Sequence, residues 1–169
     1  FVSRYFTAEV NSVASENQAK QVQLVSQNLE ARYEAMVENN QIMASVFATE
    51  LNGLNLSGRT ITLENGIRVP ELRLGDKPVT SDEGLFSRFT QNSGYFVSLY
   101  VKQGRRYINV ATSIKGEKGN SLKGSEISFD HNAYTHLVSG NAYQGQDNVH
   151  GLNLYQNFTP IKVNGEVIA

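Results

Sequence analysis

The chain has 169 residues and a formal net charge of -1, with 40% hydrophobic and 18% charged residues. That is polymer enough for one cored domain, too apolar for a disordered chain and too neutral for a phosphate-backbone binder, so a nucleic-acid partner is not expected. Cysteine is absent, which excludes thiolate zinc centres, iron–sulfur clusters, cysteine nucleophiles and disulfide scaffolds.

Residues 1–53 contain no proline, and their only glycine is Gly53. Val22, Val25, Leu29, Tyr33, Met36, Met43, Phe47 and Leu54 recur mostly at three- and four-residue steps, interrupted by Asn40. This is helical period, and Phe6, Val10 and Val13 keep the same steps earlier, so one long helix is expected. At about 1.5 Å per residue it would reach roughly 75 Å. A domain of this size is only about 40 Å across, so the helix is expected to project or to pair with another chain, most simply a second copy.

Beyond Leu54 the texture changes to short alternating runs punctuated by glycine. Ile61 and Leu63, then Asn65-Gly66, then Ile67 and Val69 predict a hairpin with a two-residue turn, and Pro70 marks a strand edge. Ser81 to Thr90 predicts a short helix capped by Ser81 or Asp82 and ended at Asn92-Ser93-Gly94, with Leu85 and Phe89 on one face. Strands are predicted at Tyr95–Lys102 and Arg106–Ser113, followed by a loop from Ile114 to Ser125. Asp130 is the expected cap of another short helix through Leu137, closed by Gly140. Tyr143–Asn148 and Leu152–Val163 read as two more strands, and Asn164-Gly165 turns into a last one that is expected to continue past Ala169. The class is α+β: a long N-terminal helix packed on an antiparallel sheet with short connecting helices.

Reactive chemistry is hard to find. His131, His136 and His150 form no metal-ligand spacing, and no G-x-S-x-G elbow occurs. Gly119-Asn120-Ser121-Leu122-Lys123-Gly124-Ser125 lacks the Gly-Lys-Ser/Thr ending of a phosphate loop. Asp82-Glu83 sit where a helix dipole alone explains them. Neither a catalytic group, a metal nor a cofactor is expected. The longest apolar runs fall short of the roughly 20 residues of a membrane span, although the parent protein can still be membrane-bound.

From Val69 onward the sequence resembles the extracytoplasmic sensory domain of bacterial methyl-accepting chemotaxis proteins, a single Cache domain of the fused type. Val69-Pro70-Glu71-Leu72 is similar to the family's V-P-x-L segment, and Leu85-Phe86-Ser87-Arg88-Phe89-Thr90 to the helix after it. Ser98-Leu99-Tyr100-Val101 resembles its T-I-F-V strand and Tyr107-Ile108-Asn109-Val110-Ala111-Thr112 its F-V-R-V-x-T strand. Asn132-Ala133-Tyr134, Gly140 to Gly145, Thr159-Pro160-Ile161-Lys162 and Asn164 to Ile168 match the remaining blocks, in order and at the family's spacing. The resemblance implies a single domain over residues 1–169, with a long helix (1–53) and a PAS-like ligand-binding part (54–169). It implies a small organic acid as ligand (pyruvate, acetate, propionate or lactate) and a parent receptor anchored in a bacterial inner membrane, this part standing in the periplasm. A homodimer joined through the helix would fit the exposed stripe. A histidine-kinase sensor, or a helix-mediated assembly module without a ligand, are the alternatives.

Strand alternation then selects side chains for the pocket. Ser98 and Tyr100 share one face, Tyr107, Asn109 and Ala111 a second, and Leu154, Gln156 and Phe158 a third. Ser98, Tyr100, Asn109, Tyr143 and Gln156 supply the hydrogen-bonding groups of a mostly apolar cavity. The family commonly has Arg where Asn109 stands, and Tyr where Leu154 and Phe158 stand. Without that bidentate clamp, an anion would need Arg73, Lys162 or backbone amides.

Overall fold

The computed structural model describes residues 2–116, 119–149 and 152–169, and the side chains within them apart from those of residues 2–12, 81, 83, 149 and 152. Helix α1 runs over Val2–Glu50. Contacts divide the chain into two units, Phe1–Asn39 and Asn40–Ala169. In the first, the described side chains are exposed except for half-buried Val37, so the Val22, Val25, Leu29, Tyr33 and Met36 stripe meets solvent along its whole length. The second unit holds all the sheet structure and both cores. There α1 finishes by burying Phe47, whose ring meets Phe86 at 5.3 Å and Phe89 at 4.8 Å.

Strands β1 (Leu54–Thr62), β2 (Arg68–Leu74) and β3 (Lys77–Pro78) form an antiparallel sheet with β2 central. Pro70 pairs with Thr60 at a point where β3 does not reach, so its missing N–H costs no ladder bond there. Helix α2 (Glu83–Ser93) is capped by Asp82, which accepts from the Leu85 amide, and ends on Gly94. Strands β4 (Ser98–Gln103) and β5 (Arg106–Thr112) make the central hairpin. Helix α3 (Asn132–Val138) leads into the hairpin of β6 (Tyr143–Val149) and β7 (Leu152–Phe158). The short pair β8 (Lys162–Val163) and β9 (Glu166–Val167) closes the described chain. The fold is α+β, as the change of period at Leu54 predicts.

Four local expectations change. The Asn65-Gly66 turn is longer than two residues: only Gly66 takes positive φ, and the amide of Leu63 bonds to the Ile67 carbonyl. The same dipeptide at Asn164-Gly165 does make the two-residue turn, with φ of 51° and 84° between paired Val163 and Glu166. The cap of α3 is His131, not Asp130; its Nδ1 accepts from the Ala133 amide at 3.0 Å, while Asp130 is taken by the Ser128 hydroxyl. Leu152–Val163 is two strands, since Thr159-Pro160 interrupts the ladder. In addition, the end of the glycine-rich loop is a strand partner: the amide of Asn109 bonds to the Ser125 carbonyl and that of Gly124 to the Asn109 carbonyl.

Candidate functional site

The central hairpin separates two cores. Leu99, Val101, Ile108, Val110 and Ala111 point into the core that also holds Phe47, Leu72 and Phe86. Tyr107 points the other way, with Ile127, Ala133, Tyr134 and Leu137, and Tyr100, Tyr143 and Phe158 pack against that second cluster. A bulge fixes which residues go where. Leu99 pairs with Ala111 but Tyr100 with Asn109, so Val110 is the extra residue on β5. Ala111 therefore leaves the face of Tyr107 and Asn109, on which simple alternation puts it, and joins Val110 in the first core.

Ser98, Tyr100 and Asn109 meet on the second face. The Tyr100 hydroxyl lies within reach of both Asn109 and Ser98, and burial holds the phenol above its usual pKa while those two contacts pull it back. Ser98 Oγ also stands 2.6 Å from Thr112 Oγ1. Asn109 is 1% exposed. Burial likewise raises the pKa of the Tyr107 phenol, with Tyr134 adding to it.

The opposite wall is one face of the β6–β7 hairpin. Tyr143 pairs with Phe158, Gly145 with Gln156 and Asp147 with Leu154, so period-two alternation puts all six on a single face. Gly145 matters through what it lacks. A Cβ there would come within 2.2 Å of Tyr143 Oη, so the Tyr143 phenol lies along the strand over Gly145. Phe158 connects the walls, with its ring 6.3 Å from Tyr100 and 6.3 Å from Tyr143. His131 at the start of α3 closes the arrangement, 5.5 Å from Phe158 and 6.3 Å from Tyr143 between ring centroids. Its Nε2 stands 3.5 Å from Asp147 Oδ2, too long or oblique for a hydrogen bond, so Oδ2 has no hydrogen-bond partner.

The polar atoms of this layer are incompletely satisfied. Tyr107 Oη, Asn109 Oδ1, Asp147 Oδ2 and Gln156 Oε1 are all buried with no hydrogen-bond partner among the described residues. One such atom costs roughly 1–3 kcal/mol unless something supplies a partner. All four belong to residues on the two strand faces that border the Tyr100, Tyr143 and Phe158 rings.

Ser98, Tyr100, Asn109, Tyr143 and Gln156 thus converge on one layer; Arg73 and Lys162 do not. Arg73 on β2 reaches Glu71 Oε2 at 3.3 Å and donates to the Asp76 carbonyl. Lys162 is exposed and lines a surface cleft of about 570 Å³ with Lys102, Ser139, Gly140 and Glu166. That cleft contains none of the unpartnered atoms, which is why the aromatic layer is the stronger site. Sequence reasoning missed His131, Gly145 and Asp147. The last two were reachable by extending alternation two and four residues past Tyr143.

A long helix running into antiparallel hairpins, with an aromatic and polar layer between them, is the architecture of PAS-like sensory domains. The sequence model of the Cache 3/Cache 2 fusion domain matches residues 3–169, and the chain belongs to that family. Cache domains are sensory rather than catalytic and are typically extracytoplasmic. Searches of curated proteins and of solved structures give no significant match. Among the described residues, no helix is long and apolar enough to cross a membrane.

Proposed function

We propose that the chain is the ligand-sensing part of a membrane-anchored bacterial chemoreceptor, exposed to the periplasm and paired with a second copy through α1. Its ligand is a small organic molecule held between the β4–β5 and β6–β7 hairpins by Ser98, Tyr100, Asn109, Tyr143 and Gln156. The observation that carries this reading is the set of four unpartnered polar atoms buried in that layer. Nothing about them contributes to folding, whereas a ligand that satisfies them is favoured for the same reason they are costly. Pairing through α1 is supported by the exposed apolar stripe, in which Val22, Val25 and Leu29 are each more than half exposed.

In this reading ligand draws the two hairpins together around Phe158. The closure needs only the shifts of about 1–2 Å, and coupling of about 1–3 kcal/mol, that serve other transmembrane switches. A thermal-shift panel of small organic molecules on the wild-type chain and on Gln156→Leu tests the proposal. Ligand at 100 times its Kd adds about 2.7 kcal/mol to stability. A shift present in wild type and lost in Gln156→Leu supports the layer; a shift that Gln156→Leu retains in full refutes it.

A further inference from the structure

Resting on that sensory reading, we infer that the ligand recognised in this layer carries a primary ammonium group, seated on Asp147 and walled by His131, Tyr143 and Phe158. The first argument is charge. Asp147 brings a carboxylate into the layer, its side chain only 16% exposed. Among the described residues, no Lys or Arg comes within ion-pair distance of it, and the one partner is His131 at 3.5 Å. That histidine is committed elsewhere. Its Nδ1 accepts the Ala133 amide hydrogen, which an imidazolium could not do, so while the cap bond stands the ring is neutral and carries its proton on Nε2. Among the described residues, Asp147 is therefore a largely buried carboxylate with no ion-pair contact besides His131, an arrangement that favours a cation from outside the chain.

The second argument is hydrogen-bond polarity. Three of the four unpartnered atoms, Asn109 Oδ1, Asp147 Oδ2 and Gln156 Oε1, are acceptors, and the fourth, Tyr107 Oη, can accept or donate. A carboxylate ligand brings only more acceptors. A primary ammonium brings three N–H donors. Rotating either amide by half a turn would exchange its oxygen for nitrogen, but no rotation turns the Asp147 carboxylate into a donor.

The third argument is the wall. Gln156 faces Gly145, so it lies diagonally across from Asp147, a separation of about 7–8 Å between backbones that side chains readily span. The missing side chain at Gly145 lets the Tyr143 phenol occupy the ground between them. Electron-rich ring faces beside a largely buried carboxylate suit a cation and exclude bulk water from it. Arg73 is engaged by Glu71 and the Asp76 carbonyl, and Lys102 and Lys162 both line the surface cleft.

The test titrates the 169-residue chain calorimetrically with ethylamine and putrescine, and in parallel with acetate and pyruvate. Wild type, Asp147→Asn and Lys162→Met are compared, and circular dichroism checks that each is folded. Both amines are expected to bind wild type and Lys162→Met alike, with affinity at least tenfold weaker in Asp147→Asn, and the acids to give no saturable heat. Amine binding that Asp147→Asn leaves unchanged overturns the assignment of the site. Acids that bind while amines do not overturn the ammonium inference yet leave the sensory reading standing. Four flat titrations overturn both.

Discussion

Replacing Asn109 by Leu separates the cost of the ligand site from its use. The two side chains have nearly the same shape, and position 109 is 1% exposed, so the exchange keeps volume while removing both polar atoms. Unpartnered Oδ1 should cost about 1–3 kcal/mol, which leucine relieves. The contact between Asn109 and the Tyr100 hydroxyl is lost, at about 0.5–1.5 kcal/mol. The strand itself is untouched, because the backbone bonds to Ser125 and Gly124 do not involve the side chain. The balance is a gain of up to about 2 kcal/mol, or about 4–8 °C in Tm for a chain of this size. Urea unfolding of ligand-free protein, followed by near-ultraviolet circular dichroism of the tyrosines, reads it. The same variant should bind ligand at least tenfold more weakly. A loss of more than about 1 kcal/mol on unfolding would mean that Oδ1 is satisfied in the free protein, and the case for the layer would fall with it.

Three further outcomes follow from the same geometry. Phe47→Ala removes the ring that ties the end of α1 to Phe86 and Phe89; it should cost about 3–5 kcal/mol in urea unfolding, and a cost under 1 kcal/mol would show that α1 is not docked through it. Gly145→Ala puts a methyl where the Tyr143 phenol lies, so it should lose about 1–3 kcal/mol through overpacking and weaken ligand binding. Adding Tyr143→Leu should return the stability but not the affinity; stability that stays low in the double variant would place the strain elsewhere. Burial raises the Tyr100 and Tyr107 phenols above the usual value of 10.0. A raised folded-state pKa gives stability that is complete below about pH 10 and is lost as pH rises through the folded values. Phenolate absorbance should therefore show a late-titrating step that shrinks in Tyr100→Phe and in Tyr107→Phe. A single transition shared by all the tyrosines would contradict their burial.

Much of the fold was legible because it depends on local signals. The switch from three- and four-residue steps to alternation at Leu54 marks the boundary between α1 and the sheets, and the glycine at position 94 ends α2 where a left-handed residue is needed. What failed was decided by tertiary context. Asn65-Gly66 and Asn164-Gly165 are the same dipeptide, yet only the second sits between strands whose pairing runs to the turn itself. Capping of α3 by His131 could not be anticipated from residue preference, since Asp130 is the better cap in isolation. Asn40, which breaks the apolar stripe of α1, donates to the Tyr155 carbonyl at 3.2 Å; a polar residue on an apolar stripe turned out to be a tie to β7 rather than a defect in the pattern.

The site was half legible for a related reason. Alternation identifies which residues of a strand share a face but not which strand lies opposite, and a single bulge inverts it, as Val110 does for Ala111. Ser98 and Tyr100 keep a common face because β4 carries no insertion, and Asn109 precedes Val110 on β5. Arg73 and Lys162 entered the reading only because an anion needs a cation, and the fold gives each of them other surroundings. The resemblance implies an arginine where Asn109 stands on β5, and its absence and the presence of Asp147 on β6 act in the same direction. One removes positive charge from the layer, the other leaves negative charge uncompensated there, and recognition turns on the difference between the two ligand charges rather than on affinity for either. Restoring the arginine by Asn109→Arg should therefore do more than add a clamp. It would pair with Asp147 or repel the ammonium, so amine binding should fall at least tenfold while acetate or pyruvate binding appears. If Asn109→Arg still binds ethylamine as wild type does, Asn109 and Asp147 do not share a ligand, and the charge argument for this layer is wrong.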